Sequence, residues 1–166
     1  RKLSARHKVC EYGPGCDLTF SCKPLANWII ENFDKGSFKK HLPGWIYAAP
    51  DNFIKGLLRG YFDGDGNVAN DENHHYLRAC SRSEQLVQDL GLLYAYKGIF
   101  VNYQTEKNKL GSNLYHYIIP YKYAKLYLDE IGTDDPVKQK ALDDLIEYAN
   151  REKAHSKPEY IDKIPQ

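Results

Sequence analysis

The sequence contains no methionine among its 166 residues. It opens on Arg1, so a fragment, a processed product or the ordered part of a longer chain is expected. Long apolar runs are missing too. Nothing approaches the roughly 18 consecutive apolar residues of a membrane span, which argues against a membrane partner. No basic-then-apolar leader marks the start, and an intracellular protein is expected. Cysteine is sparse, at four residues (Cys10, Cys16, Cys22 and Cys80), with no C-x-x-C pair and no histidine at zinc-site spacing. These are read as reduced packing thiols rather than disulfides or zinc ligands. A charge surplus is lacking as well. The 23 basic and 22 acidic side chains leave a net charge of +1, whereas duplex-binding domains ordinarily carry an evident basic excess.

What is present fits a globular domain with its own core: 42% of the residues are apolar and 27% charged. The charges are unevenly spread. Basic residues gather in Arg1–Lys8, at Lys35, Lys39 and Lys40, and at Lys97, Lys107 and Lys109. Acidic ones gather at Asp129, Glu130, Asp134, Asp135, Asp143 and Asp144. One face can therefore be cationic while another is acidic. The 14 tyrosines suit both strand faces and wet recognition surfaces.

Patterning predicts a hairpin of strands 8–12 and 18–22 about the turn Gly13-Pro14-Gly15. Pro24 opens an amphipathic helix over 24–33, with Leu25, Trp28, Ile29 and Phe33 on one face. Glycines and prolines mark a connector from Asp34 to Pro50. Asp51 or Asn52 caps the next helix, whose apolar residues are Phe53, Ile54, Leu57, Leu58, Tyr61 and Phe62. Strands follow at 66–70 and 76–81, then a helix from Ser83 to about Tyr96, strands at 99–106 and 112–119, and helices over 121–131 and 136–153. From residue 52 the order is helix, strand, strand, helix, strand, strand, helix. Residues before it read as the trailing half of the same unit. The expected class is α+β, built on an αββαββα repeat. The expected division is 1–46 for the trailing part of a first repeat with its connector, 47–153 for a complete second repeat, and 154–166 for a tail.

The helix after Asp51 ends in Leu58-Arg59-Gly60-Tyr61-Phe62-Asp63-Gly64-Asp65-Gly66. Read alone, two carboxylates among glycines are an acidic turn, or a calcium loop of the Asp-x-Asp-Gly kind. Asp71 and Glu72 lie at the wrong spacing to complete such a loop. Together with the preceding apolar helix, the stretch resembles the motif of the LAGLIDADG homing endonucleases, matching at Leu58, Gly60, Asp63, Asp65 and Gly66. Lys40-His41-Leu42-Pro43 is similar to the Lys-x-Ile-Pro segment between repeats of intein-type members. Ile131-Gly132 followed by Lys138 is similar to the Ile-Gly-Phe…Lys ending of the second repeat, with Thr133 in the aromatic's place.

The resemblance implies a site-specific double-strand DNA endonuclease from an intein, using Mg²⁺ with Mn²⁺ able to substitute. Phosphodiester hydrolysis needs a metal to activate water, and Mg²⁺ prefers carboxylates and water as ligands. By resemblance, Asp65 is catalytic and, with Gly64 beside it, binds the metal, while Asp63 supports the helix end. Lys40 and Lys138 approach the scissile phosphate, with Lys39 and Lys140 as neighbours. One motif supplies one central carboxylate. The partners implied are therefore double-stranded DNA and either an upstream repeat or a second copy of this chain. No Cys, Ser or Thr begins the sequence and no His-Asn ends it, so protein-splicing residues would lie elsewhere in an intein.

In this family a strand saddle reads the major groove. Alternation turns Leu77, Ala79, Val101, Tyr103, Tyr115, Tyr117 and Ile119 inward. It leaves Tyr76, Arg78, Asn102, Gln104, Glu106 and His116 toward DNA. Arg82, Lys107 and Lys109 are the expected phosphate contacts. His74 and His75 read as exposed loop residues rather than zinc ligands. Two rival functions remain: a non-catalytic DNA- or RNA-binding maturase or regulator on the same scaffold, and a single-motif homodimeric intron endonuclease.

Overall fold

A computed structural model of the chain describes residues 6–12 and 15–155. A hairpin, β1 (Arg6–Tyr12) and β2 (Gly15–Ser21), leads into α1 (Lys23–Phe33). Gly13 and Pro14 of its expected turn, and residues 156–166 of the expected tail, lie outside the described residues. A 3₁₀ turn (Gly44–Ala48) precedes α2 (Asp51–Asp65), β3 (Gly66–Asn70), β4 (His75–Ser81) and α3 (Glu84–Tyr96). Then come β5 (Asn102–Lys107), β6 (Asn113–Pro120), a 3₁₀ turn (Tyr121–Tyr123), α4 (Ala124–Glu130) and α5 (Pro136–His155). The order from α2 to the last helices is the expected one, with α4 and α5 closing the unit.

β3 to β6 form one antiparallel sheet in the order β3-β4-β6-β5. Its inner face presents Leu77, Ala79, Tyr117 and Ile119, all essentially inaccessible. They pack against Leu58 and Phe62 of α2, Leu90, Leu93 and Tyr94 of α3, Tyr127 of α4, and Leu142 and Leu145 of α5. Apolar residues recurring at helical spacing meet apolar residues alternating along strands, and the buried area drives assembly. Two buried tyrosines satisfy each other, Tyr94 and Tyr117 sharing a hydrogen bond between hydroxyls 3.1 Å apart.

Three details differ from expectation. β5 begins at Asn102 rather than 99, because the amide of Ile99 returns to the Tyr94 carbonyl and is spent closing α3. Tyr103 sits on the inner face, yet it is 54% exposed, since β5 is the sheet's edge. The apolar face of α1 is uncovered among the described residues: Leu25, Ile29 and Ile30 are each more than 40% exposed, and no residue of this helix is buried. Only its aromatic end finds neighbours, Trp28 and Phe33 packing around Trp45, which in turn meets Phe53 of α2.

The connector is tied to the domain by a buried carboxylate. Asp89 of α3 accepts hydrogen bonds from the Leu42 amide (2.8 Å), Gln85 Nε2 (2.8 Å) and the Tyr47 hydroxyl (3.2 Å). Burial, and beside it the Asp89 charge, pushes the Tyr47 hydroxyl up to about 12, so it stays a donor. Replacing Asp89 by alanine strands a buried amide and a hydroxyl, so stability should fall by about 2–4 kcal/mol, read by urea unfolding. A loss near zero would mean the connector is held some other way.

Candidate active site and nucleic-acid interface

The C-terminal turn of α2 carries two carboxylates where the helix dipole is itself negative, a placement that costs stability unless compensated. Asp63 is compensated. It accepts hydrogen bonds from the Thr133 hydroxyl and from the Asp134 amide (3.0 Å), fastening α2 to the turn after α4. Lys138, in the first turn of α5, donates its Nζ to the carbonyls of Phe62 (3.1 Å) and Asp63. A cation thus caps the orphan carbonyls at the end of α2.

Asp65 has no such partner. It is the last residue of α2, exposed, and without a hydrogen bond or ion pair to any described side chain. It stands near the end of β4, where Tyr61, one turn earlier on α2, donates its hydroxyl to the Cys80 carbonyl at 3.0 Å. Burial first, and then the charge of Asp65, raises both the Tyr61 hydroxyl and the Cys80 thiol, keeping them neutral beside it. The chain enters β3 directly through Gly66, where a Cβ would lie 2.3 Å from the Phe62 ring and 2.4 Å from its carbonyl oxygen. Only glycine turns the corner that tightly. At Gly64 a Cβ would meet nothing within 4 Å, so the space beside Asp65 is open.

The donor chemistry suits a hard divalent cation: one exposed, unpaired carboxylate with room for water and phosphate oxygens. Among the described residues no group of three or more His, Cys, Asp or Glu could hold a metal alone. A metal held here would take its further ligands from water, phosphate oxygens or another carboxylate. The carbonyl of Lys40 accepts a hydrogen bond from the Ser83 hydroxyl, just beyond the end of β4. That bond brings Lys40 to the end of the sheet that holds Asp65, with its side chain exposed.

The outer face of the sheet carries the expected row. Pairing of Asn67 with Arg78, Cys80 with His116, and Gln104 with His116 sets Tyr76, Arg78, Asn102, Gln104, Glu106 and His116 on one side. One of them needs correcting. His116 is only 5% exposed, so it is not presented to a base edge. Its Nε2 lies 3.5 Å from Glu106 Oε2, neither ring nitrogen makes a hydrogen bond, and burial lowers its pKa, which keeps the ring neutral. The group standing outward there is Glu106, steadied by Gln104 Nε2 at 3.1 Å. Burial could not be read from alternation, which gives the face but not its cover. Lys107 ends β5 and Lys109 is exposed in the turn closed by the Asn108 amide on the Ser112 carbonyl. Arg82 lies off the sheet, its guanidinium 3.8 Å from the Phe38 ring. His74 is exposed as expected, whereas His75 opens β4 instead of lying in the loop. His74 bonds Asp71 at 2.9 Å, and His75 stacks on Tyr148 at 3.6 Å.

α2 also offers a bare stripe. Gly56, Gly60 and Gly64 recur every four residues on one helix face, and a Cβ added at any of them would meet nothing within 4 Å. Phe53, 43% exposed, prolongs this stripe toward the helix start.

Residues 52–132, from the start of α2 to the turn after α4, match the family described as a LAGLIDADG-like domain. That segment is a LAGLIDADG-like domain. The chain is 33% identical over 149 residues to the DNA-directed RNA polymerase subunit Rpo1C of Methanocaldococcus jannaschii, covering 90% of this chain and 16% of that one. It is 25% identical over 147 residues to a DNA polymerase of Thermococcus sp. (strain GE8), covering 84% of this chain and 8% of the relative. The chain thus spans a small fraction of the relatives it matches. Among solved structures, I-DmoI in complex with DNA and Mn superposes with a TM-score of 0.58 at 12% identity, over 78% of this chain and 64% of that one. I-DmoI in complex with DNA and Ca gives 0.57 at 13%, over 86% and 68%. At such identity the likeness shows the fold, that of a LAGLIDADG homing endonuclease. In it α2 is the motif helix and Asp65 its terminal carboxylate. Lys40 and Lys138 lie outside the matched segment.

Proposed function

We propose that this chain is part of a site-specific, divalent-metal-dependent double-strand DNA endonuclease carried as an insert, in the manner of an intein. The observation that carries the proposal is Asp65: a helix-terminal carboxylate left exposed and without a partner among the described residues, beside an Asp63 and a Lys138 that both have theirs. The insert reading is supported by the relatives. One is an RNA polymerase subunit and the other a DNA polymerase, and this segment matches 16% and 8% of them. Such a short segment shared by two different polymerases is what a mobile insertion leaves. It would act inside the cell, where its host works.

In this reading Asp65 holds Mg²⁺, for which Mn²⁺ substitutes, with Gly64 leaving room beside it. The metal, when bound, supplies Lewis acidity for the attacking water and the leaving oxygen. Lys138 balances charge at the helix terminus and fixes the last turn of α2, so the depth of Asp65 is constant. Lys40 provides a mobile cation for a phosphate at the same end. Tyr76, Arg78, Asn102, Gln104 and Glu106 face the major groove, and Lys107 and Lys109 approach the backbone.

One chain offers one such carboxylate, and both strands must be cut. A pool of duplexes incubated with the chain and Mg²⁺ should yield cleavage at a discrete sequence, blocked by chelation. Two copies of the chain should be present per cleaved duplex, or one copy joined to an upstream repeat. Tight, sequence-selective binding with no cleavage under Mg²⁺ or Mn²⁺ in either arrangement would instead favour a maturase-like or regulatory binder.

A further inference from the structure

A cleft of about 680 Å³ opens between the connector after α1 and the first turn of α3. Lys39, His41 and Arg82 line it, with Phe38 at one wall and Ser83 and Glu84 at the other. The cations here are not neutralised within the fold. Among the described residues neither Lys39 nor Arg82 makes an ion pair, and Glu84, the one acid in the cleft, is engaged by Gln88 at 3.4 Å.

Arg82 is held for use. Its guanidinium lies over the Phe38 ring at 3.8 Å, a cation–π contact that fixes its plane. Its Nε is buried with no acceptor. A buried N–H without a partner costs free energy, and a charged one costs more. No acceptor among the described residues neutralises this guanidinium, and its terminal nitrogens remain to be engaged. The walls are already set. Ser83 bonds the Lys40 carbonyl and Asp89 bonds the Leu42 amide, so the two sides of the cleft do not have to be ordered on binding.

Its position selects the anion. Arg82 and Ser83 directly follow β4, whose Cys80 carbonyl receives the Tyr61 hydroxyl beside Asp65. The cleft therefore lies at the end of the sheet that carries the cleavage centre, but off the base-reading face. We infer that it is a backbone-phosphate site: Arg82 and Lys39 grip a non-scissile phosphodiester of the bound duplex and set its register against Asp65. A planar guanidinium fork beside a flexible ammonium matches tetrahedral phosphate oxygens. The inference rests on the DNA partner proposed above.

The test is the salt dependence of binding between the full chain and a labelled duplex of mixed sequence, since phosphate contacts are indifferent to sequence. Each phosphate neutralised contributes about 0.9 to the slope of log K against log salt. Arg82→Gln and Lys39→Gln should each lower the slope by about that amount, and the double variant by about twice as much, with roughly ten- to hundredfold weaker binding near physiological salt. Arg82→Lys should keep the slope while binding more weakly, because charge remains but the fork is gone. Lys39→Gln is the arm insensitive to folding, its side chain being exposed. If the double variant, shown to be folded, keeps the parent slope and affinity, the cleft is no phosphate site although DNA binding stands. If the parent chain binds duplex with no salt dependence, the DNA reading fails, and the cleft inference falls with it.

Discussion

Asp65→Asn is expected to abolish strand cleavage while leaving duplex affinity nearly unchanged and the fold slightly more stable. These three effects have different causes. Asparagine keeps the shape and one carbonyl oxygen but loses the charge that a hard cation requires, so transition-state stabilisation of several kcal/mol disappears. At about 1.4 kcal/mol per tenfold in rate, that is on the order of a thousandfold or more. In the proposed reading affinity for the duplex comes from the outer sheet face and the basic cleft, and a carboxylate contributes nothing favourable to phosphate contact. The gain in stability follows from position. Asp65 adds negative charge to the negative end of α2 with no compensating partner, unlike Asp63 with Thr133 and Asp134. Removing that charge should stabilise the exposed terminus by about 0.3–1 kcal/mol, more at low salt. Thermal melting, duplex binding and cleavage, each measured on the same preparation, separate the three. Cleavage within tenfold of the parent would remove Asp65 from the chemistry. A drop in melting temperature would show that it has a structural partner after all.

Most of the architecture was legible because it rests on short-range patterns. Leu58 and Phe62 at helical spacing, Leu77 and Ala79 in alternation, and Gly66 at a helix end are local signals with one geometric solution. Sites that depend on contacts distant in sequence were not. Asp89 looks like any polar residue in a helix, yet its partner is the Leu42 amide, 47 residues away. Resemblance places Lys138 near the phosphate, and the contact the structure shows, with the carbonyls of Phe62 and Asp63, lies 76 and 75 residues away in sequence and is not signalled by any local pattern. His116 was assigned the right face, but whether a side chain on a face is open depends on its neighbours across the strands, here Glu106. The cleft at Arg82 and Phe38 joins a connector to a helix start, and no periodicity announces such a meeting. The pattern of α1 is amphipathic, but its apolar face finds no cover among the described residues.

The glycines of α2 and Gly66 just after it should behave in opposite ways when enlarged, and this separates folding from assembly. Gly60→Ala should stabilise the isolated chain by about 1 kcal/mol, since glycine is a poor helix former and the added methyl meets no atom within 4 Å. Gly66→Ala should destabilise it, because the same methyl would overlap the ring and carbonyl of Phe62. If only the fold of this chain mattered, Gly60 would be a costly choice, and so would Gly56 and Gly64 on the same face. Their use is explained if a second motif helix lies against the stripe, because the separation of packed helices is set by the side chains between them. Small residues let the two backbones close, which brings the partner's carboxylate to Asp65. Gly60→Leu should therefore leave melting of the chain near or above the parent value while cutting cleavage and DNA-dependent pairing by more than about a hundredfold, roughly 2.7 kcal/mol. Gly60→Ala should fall between. Cleavage by the leucine variant at the parent rate would mean that this face of α2 stays open in the active enzyme, and that the second carboxylate reaches the DNA by another route.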